Sequence, residues 1–220
     1  MRFWRRLFMF ALLFAWGPSV PAAAHHLKHE GPVKGIAIPA IGHGEMPVYA
    51  KYRAAILGLA ASQPATDPVL RRLLGFVSLQ YFACFYGLVP GSLSDEDSPF
   101  NECSHAYLAG TRALLAHMAA MPGDQPEASA LQKRISEELE SDPSSSAMCW
   151  SSGQDFDSAV IVPPDWAMIL VHRPTLLTLL AFVFLIAAAG GAVYYALFRA
   201  PDFKRDLTTG DSDFVAFKAP

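Results

Sequence analysis

Asparagine is almost missing from this chain: Asn101, in "NEC", is its one occurrence in 220 residues. There is accordingly no Asn-x-Ser/Thr acceptor for N-glycosylation. Cysteine is nearly as scarce, with Cys84, Cys103 and Cys149. Three is an odd count, so in an oxidising compartment one pair is expected and one thiol is left over. The motifs of common enzymes are missing too. The chain contains no Gly-x-Ser-x-Gly elbow, no phosphate or dinucleotide loop, no His-Glu-x-x-His and no Cys-x-x-Cys-His haem site. Enzymatic activity therefore has no support in the sequence, and a binding role is expected ahead of it.

Charge is absent altogether from two stretches. The first, Leu7 to Trp16, follows Arg2, Arg5 and Arg6 and precedes Gly17, Pro18 and the small-residue run "SVPAAA". A basic start, a short apolar helix and an Ala-x-Ala site are the parts of a secretory signal. The apolar run is too short to cross ~30 Å of hydrocarbon, which takes ~20 residues. Residues 1–24 are thus expected to be a signal peptide, removed to leave His25 as the first mature residue. The second stretch, Thr175 to Phe198, has only Thr175, Thr178, Tyr194 and Tyr195 as polar members. A soluble core helix of that length shows a polar face, whereas this one has the length and character of a membrane span. Arg199, Lys204 and Arg205 after it outweigh His172 and Arg173 before it, which favours a cytoplasmic C-terminus.

The expected organisation follows. Residues 25–173 form an exported domain, 174–198 a transmembrane helix, and 199–220 a cytoplasmic tail. The tail has four basic and four acidic residues and no sustained apolar period, so no fold is expected there. The expected location is a single-pass protein of a bacterial inner membrane, with its main domain in the periplasm. Between residues 25 and 173 there are ten Lys or Arg and sixteen Asp or Glu, a balance near −6. That argues against nucleic acid as a partner.

The exported part reads as helices. Residues 45–63 carry Pro47 near their start, and Val48, Tyr52, Ala55, Ile56 and Leu59 recur at helical spacing. Asp67-Pro68 is a cap followed by a proline at the first helical position, opening a helix expected to run to about Leu88. Because it is apolar nearly all round from Leu73 onward, this helix is expected at the centre of the core. Residues 104–121 make a third helix, and 124–141 a fourth and peripheral one, with Lys133–Glu137 and Arg134–Glu138 pairs at i, i+4. The one short strand candidate is "SAVIVPP" at residues 158–164. Residues 29–47, broken by Gly and Pro but carrying Ile36, Ile38 and Ile41, are expected to lie as an extended strap across the helices. The fold class is all-α: a small helical bundle of about four helices outside the cytoplasm plus one C-terminal transmembrane helix.

If the mature chain begins "HHLKHEG", the α-amine, His25, His26 and His29 cluster, and His43 and Met46 in "GHGEM" add a nitrogen and a thioether. Nitrogen with soft sulfur suits copper, Cu(I) especially. These five residues are the candidate metal ligands, although Leu27 at the third mature position breaks the simple amine–x–histidine motif. Cys103 and Cys149 stand in polar, loop-like contexts and are the preferred disulfide pair. Cys84 with Cys103 is the alternative, set second because Cys84 lies in an apolar run where a thiol serves as a small hydrophobe. Ala187 and Gly191 have the small-x-x-x-small spacing that lets membrane helices approach. The sequence therefore leads to a membrane-anchored protein that binds or assembles with an envelope partner. The alternative is a membrane-tethered copper-binding protein.

Overall fold

The computed structural model describes residues 33–198, apart from 65, 90, 123–124, 148–152 and 154. The expected signal and tail, and with them His25, His26, His29 and Cys149, lie outside the described residues. The described chain is mostly helical: α1 is Met46–Ser62, α2 Pro68–Ala83, α3 Asn101–Ala120, α4 Pro126–Ser141 and α5 Arg173–Phe198. Proline stands in the first turn of α1, α2 and α4, where a missing N–H leaves no bond unmade. At α2 the cap is made as the sequence implies: Asp67 Oδ1 accepts from the Leu70 N–H at 2.7 Å, an arrangement worth ~1 kcal/mol.

Helix α3 occupies the centre. Ala106, Tyr107, Leu108, Ala109, Leu114, Leu115 and Met118 are all buried, and α1, α2 and α4 each pack against it. Its small residues explain why it, and not the more apolar α2, takes that place. A Cβ on Gly110 would lie 2.8 Å from the Phe76 ring of α2, so glycine is what allows the two helices to close up. Helix α2 instead faces outward along one side, with Leu79 and Phe82 exposed. Helix α4 is peripheral, burying only Ala128 and Ile135. Lys133 and Glu137 do approach, at 3.8 Å. Glu138, expected beside Arg134, is instead held by Lys51 Nζ at 2.7 Å and the Tyr52 hydroxyl at 2.8 Å, both from α1.

Helix α2 ends at Ala83, short of the Leu88 expected from its apolar run. Two tertiary features stop it. Cys84 is joined to Cys103 by a disulfide, and Phe85 and Gly87 then adopt positive φ, 48° and 84°, which a right-handed helix cannot include. The preferred pairing of Cys103 with Cys149 is thereby corrected. Cys103 has its partner in Cys84, because α2 and α3 bring these two Cα atoms to 5.6 Å, within ordinary disulfide reach. Helix α3 begins earlier than expected. The Asn101 N–H donates to Ser98 O at 2.9 Å, and Asn101 Nδ2 donates to Ser92 O at 3.3 Å, tying down the preceding loop.

The strap lies where its isoleucines demand. Ile38 and Ile41 are buried in the core, and Ile36 packs at its edge. Side chains from two directions fasten it, with Ser158 and Asp155 also accepting from the N–H groups of Ile36 and Ala40. Asp157 accepts from the N–H groups of Lys34 and Gly35 at 2.7 and 2.8 Å. Arg112 of α3 reaches Glu45 Oε2 at 3.0 Å and donates to the carbonyls of Pro39 and Ala40. Strand β1 (Ala37–Ile38) pairs antiparallel with β2 (Phe156–Asp157), Ala37 opposite Asp157. Residues 158–164 form no strand. Their backbone is engaged instead by buried Gln80, whose Nε2 donates to Val162 O at 2.7 Å and whose Oε1 accepts from Val162 N at 3.0 Å.

The chain divides into two compact units, one ending at Leu176 and one beginning at Leu177. Most of α5 belongs to the second. Arg173–Leu197 has a mean hydropathy of 2.5 and is long and apolar enough to cross a membrane.

Candidate functional site

The copper candidates divide. His43 sits in a 3-10 turn, His43–Glu45, whose close contact with the turn Pro143–Ser146 depends on Gly44. A Cβ there would overlap the Ser144 carbonyl oxygen, and Gly44 N donates to Ala147 O at 3.1 Å. The His43 ring lies 5.7 Å from that of His105. His105 is fully buried, its Nδ1 donating to Asn101 O at 3.0 Å. Burial pushes its imidazole down to about 4, with the neighbouring His43 adding to the effect, so it is neutral at ordinary pH. Met46 is buried in the core. The structure thus brings His43 to a second histidine that was not among the candidate metal ligands, although His105 lies on the same helical stripe as Leu108 and Leu115. Among the described residues no group of three or more His, Cys, Asp or Glu could hold a metal ion. His25, His26 and His29 are outside the described residues.

A different surface stands out on the first unit. The face starts on the last turns of α2 and continues past its end, where Cys84 is bonded to Cys103. Leu79, Phe82 and Phe85 are left exposed, and so are Trp166, Leu170 and Val171 in the segment leading to α5; each of the six shows between 49% and 75% of its surface. Phe85 and Trp166 join the two segments, edge to face with ring centroids 6.1 Å apart, and Trp166 also meets Phe100 at 6.4 Å. Aromatic pairs in this geometry attract beyond their burial.

The segment carrying Trp166 is fixed from both sides. Asp165 N donates to Pro99 O at 2.9 Å. His172 Nε2 donates to Asp95 Oδ2 at 2.9 Å, while its Nδ1 accepts from the Thr175 hydroxyl at 2.7 Å. Thr175, in the first turn of α5, is itself buried. The start of α5 is therefore bound to the loop between α2 and α3. Neither His172 nor Asp95 was marked from the sequence as a partner of the other; 77 residues separate them.

Beneath the exposed face lies a tyrosine cluster. Tyr107 is fully buried, with its ring centroid 4.4 Å from Tyr86 and 5.6 Å from Tyr81. Burial pushes its phenol up to about 12. Arg53 of α1 lies over the Tyr86 ring at 5.4 Å. This is a packed support without a titrating role near neutral pH. In comparisons with family models, curated proteins and solved structures, the chain matches none.

Proposed function

We propose that the protein is anchored in a membrane by α5 as a single span, and that its helical part lies outside the cytoplasm as a binding or assembly partner of another envelope protein. One observation carries the reading. From Leu180 to Leu197 every side chain of α5 is exposed, and the stretch is apolar apart from Tyr194 and Tyr195. Leaving a Leu or Phe in water forfeits roughly 1.5–3 kcal/mol each, and a bilayer takes up that surface with every backbone polar group satisfied inside the helix. The excess of Arg and Lys just after the span supports an inward C-terminus. The Cys84–Cys103 bond supports an oxidising compartment for the helical part.

The assembly role draws on α5 itself. A Cβ added at Gly190 or Gly191 would meet nothing within 4 Å, so this small-residue face admits a second helix at close range. The test is a photo-crosslinking side chain placed at Ala187 in the full chain, in its native membrane at native expression. A discrete adduct with one other protein is expected, absent when the probe is moved to Leu180. Adducts with lipid alone, together with a lone monomer after mild-detergent extraction, would remove the assembly role.

A further inference from the structure

We infer that the apolar face formed by Leu79, Phe82, Phe85, Trp166, Leu170 and Val171 is seated in the headgroup layer of the bilayer that α5 crosses. The inference rests on the membrane-anchor reading above and adds which side of the helical unit the lipid meets.

The placement follows from where the chain enters the membrane. Val171 stands just before Arg173, the first residue of α5, and Trp166 is seven residues before it. At no more than ~3.6 Å per residue, Trp166 stays within ~25 Å of that entry point. The bonds of Asp165 to Pro99 and of His172 to Asp95 and Thr175 fix the entry point on the first unit's own surface. Leu170, Val171 and the Phe85–Trp166 pair therefore stand within reach of the lipid surface at that point. Phe82 and Leu79 continue the face along α2, far from α5 in sequence.

The chemistry of the face fits the same occupant. It is built from tryptophan, phenylalanine and branched aliphatic side chains, the residues that partition into the zone between headgroups and acyl chains. None of the six is charged, and Asp95, Glu96 and Asp97 lie in the adjoining loop. Attraction to anionic headgroups is thus not what would hold it; burial of apolar surface is. Phe85 holds a positive φ of 48°, an unfavourable conformation for a bulky side chain, at the residue directly after the Cys84–Cys103 bond. Strain of this kind persists where the surrounding structure over-determines it, and here it sits in the middle of the exposed face.

The test uses the full chain with its native tryptophans changed to phenylalanine, reconstituted in two sets of phosphatidylcholine vesicles, one with acyl chains brominated near the headgroup to read the face and one brominated near the chain ends to read α5. Three single probes are compared: F82W on the face, K133W on the exposed side of α4, and V183W within α5. The expected result is that F82W and V183W lose most of their emission to the bromines while K133W keeps its own, and that added salt changes nothing. L79W repeats the measurement should F82W disturb the fold, judged by helical circular dichroism. Quenching of V183W alone would overturn the seating and leave the anchor standing. Quenching of neither would overturn the anchor itself. If F82W were shielded from aqueous acrylamide yet untouched by bromolipid, a protein would be covering the face, and the lipid assignment would be wrong.

Discussion

Cys84, the residue that ends α2, is bonded to Cys103 in the first turn of α3, with Cα atoms 5.6 Å apart and a sequence separation of 19. The bond closes the loop that carries Phe85 and Asp95, so one crosslink organises both the exposed face and the tie to α5. Closing a loop of this length stabilises a fold by about 3 kcal/mol in the chain-entropy account. The paired variant C84S/C103S is expected to melt well below the wild type in the same detergent, with α3 and α4 retaining their helicity at low temperature. Alkylation of the denatured, unreduced protein should label Cys149 alone; peptide mapping that finds Cys103 alkylated would refute the pairing.

Two glycine-to-alanine changes should move stability in opposite directions. Gly58 lies exposed in the middle of α1, with nothing within 4 Å of an added Cβ. G58A is expected to gain about 0.5–1 kcal/mol from helix propensity alone. Gly110 gains the same propensity in α3, but its Cβ would meet the buried Phe76 ring at 2.8 Å. Overpacking of that kind costs about 1–3 kcal/mol and should win. Melting temperatures of the two variants, measured side by side, decide it.

Burial of His105 should make stability fall on mild acidification. His105 is held at about 4 in the folded protein by burial, against about 6.5 when unfolded. Above that range both states carry a neutral ring and nothing is gained or lost. As pH falls from 6.5 towards 4 the unfolded chain takes up the proton first, so stability declines through this window by an amount of order a few kcal/mol and levels off below it. Asp67, held low chiefly by the Leu70 N–H, and Glu138, held low chiefly by its bond to Lys51, begin to lose their contributions near the ordinary carboxylate range and go on doing so as pH falls below it. H105Q should flatten the decline in the 6.5–4 window; an unchanged slope would assign it to another group.

Arg112 should govern release of the strap. It joins α3 to Glu45 and to the carbonyls of Pro39 and Ala40, which a lysine cannot engage together in the same fork. R112A is expected to leave the helices folded while tryptic cleavage after Lys34 accelerates. R112K should fall between the two. Equal cleavage rates for wild type and R112A would show that Arg112 is not needed and that the isoleucines with the Asp157 side of the strap hold it.

The parts of this fold written in local chemistry were legible in the sequence. Asp67-Pro68 opened its helix where expected, a peripheral helix formed within residues 124–141, and the isoleucines of the strap went inward. What escaped depends on residues distant in sequence. The end of α2 is set by a bond to Cys103 and not by a proline or a polar break. Cys84 looked like a core hydrophobe because its neighbours are apolar. Two-residue strands such as Ala37–Ile38 are too short to show any alternation. Apolar periodicity also does not say which stripe is covered: α2 was expected at the centre, but small residues in α3 took that position and left Leu79 and Phe82 outside. Of the candidate metal ligands, His43 and Met46 were drawn apart by role, one beside His105 and the other into the core.

The claim on which the rest depends is that α5 crosses a bilayer with the helical part on the outer side. Proteinase K added to intact spheroplasts, with a detection tag after Pro220, tests both halves at once. A membrane-bound, tagged fragment containing α5 and the tail should survive while residues 33–172 are digested, and detergent should abolish its protection. Loss of the tag with the helical part intact, or recovery of the whole protein in the alkaline-washed soluble fraction, would contradict the account.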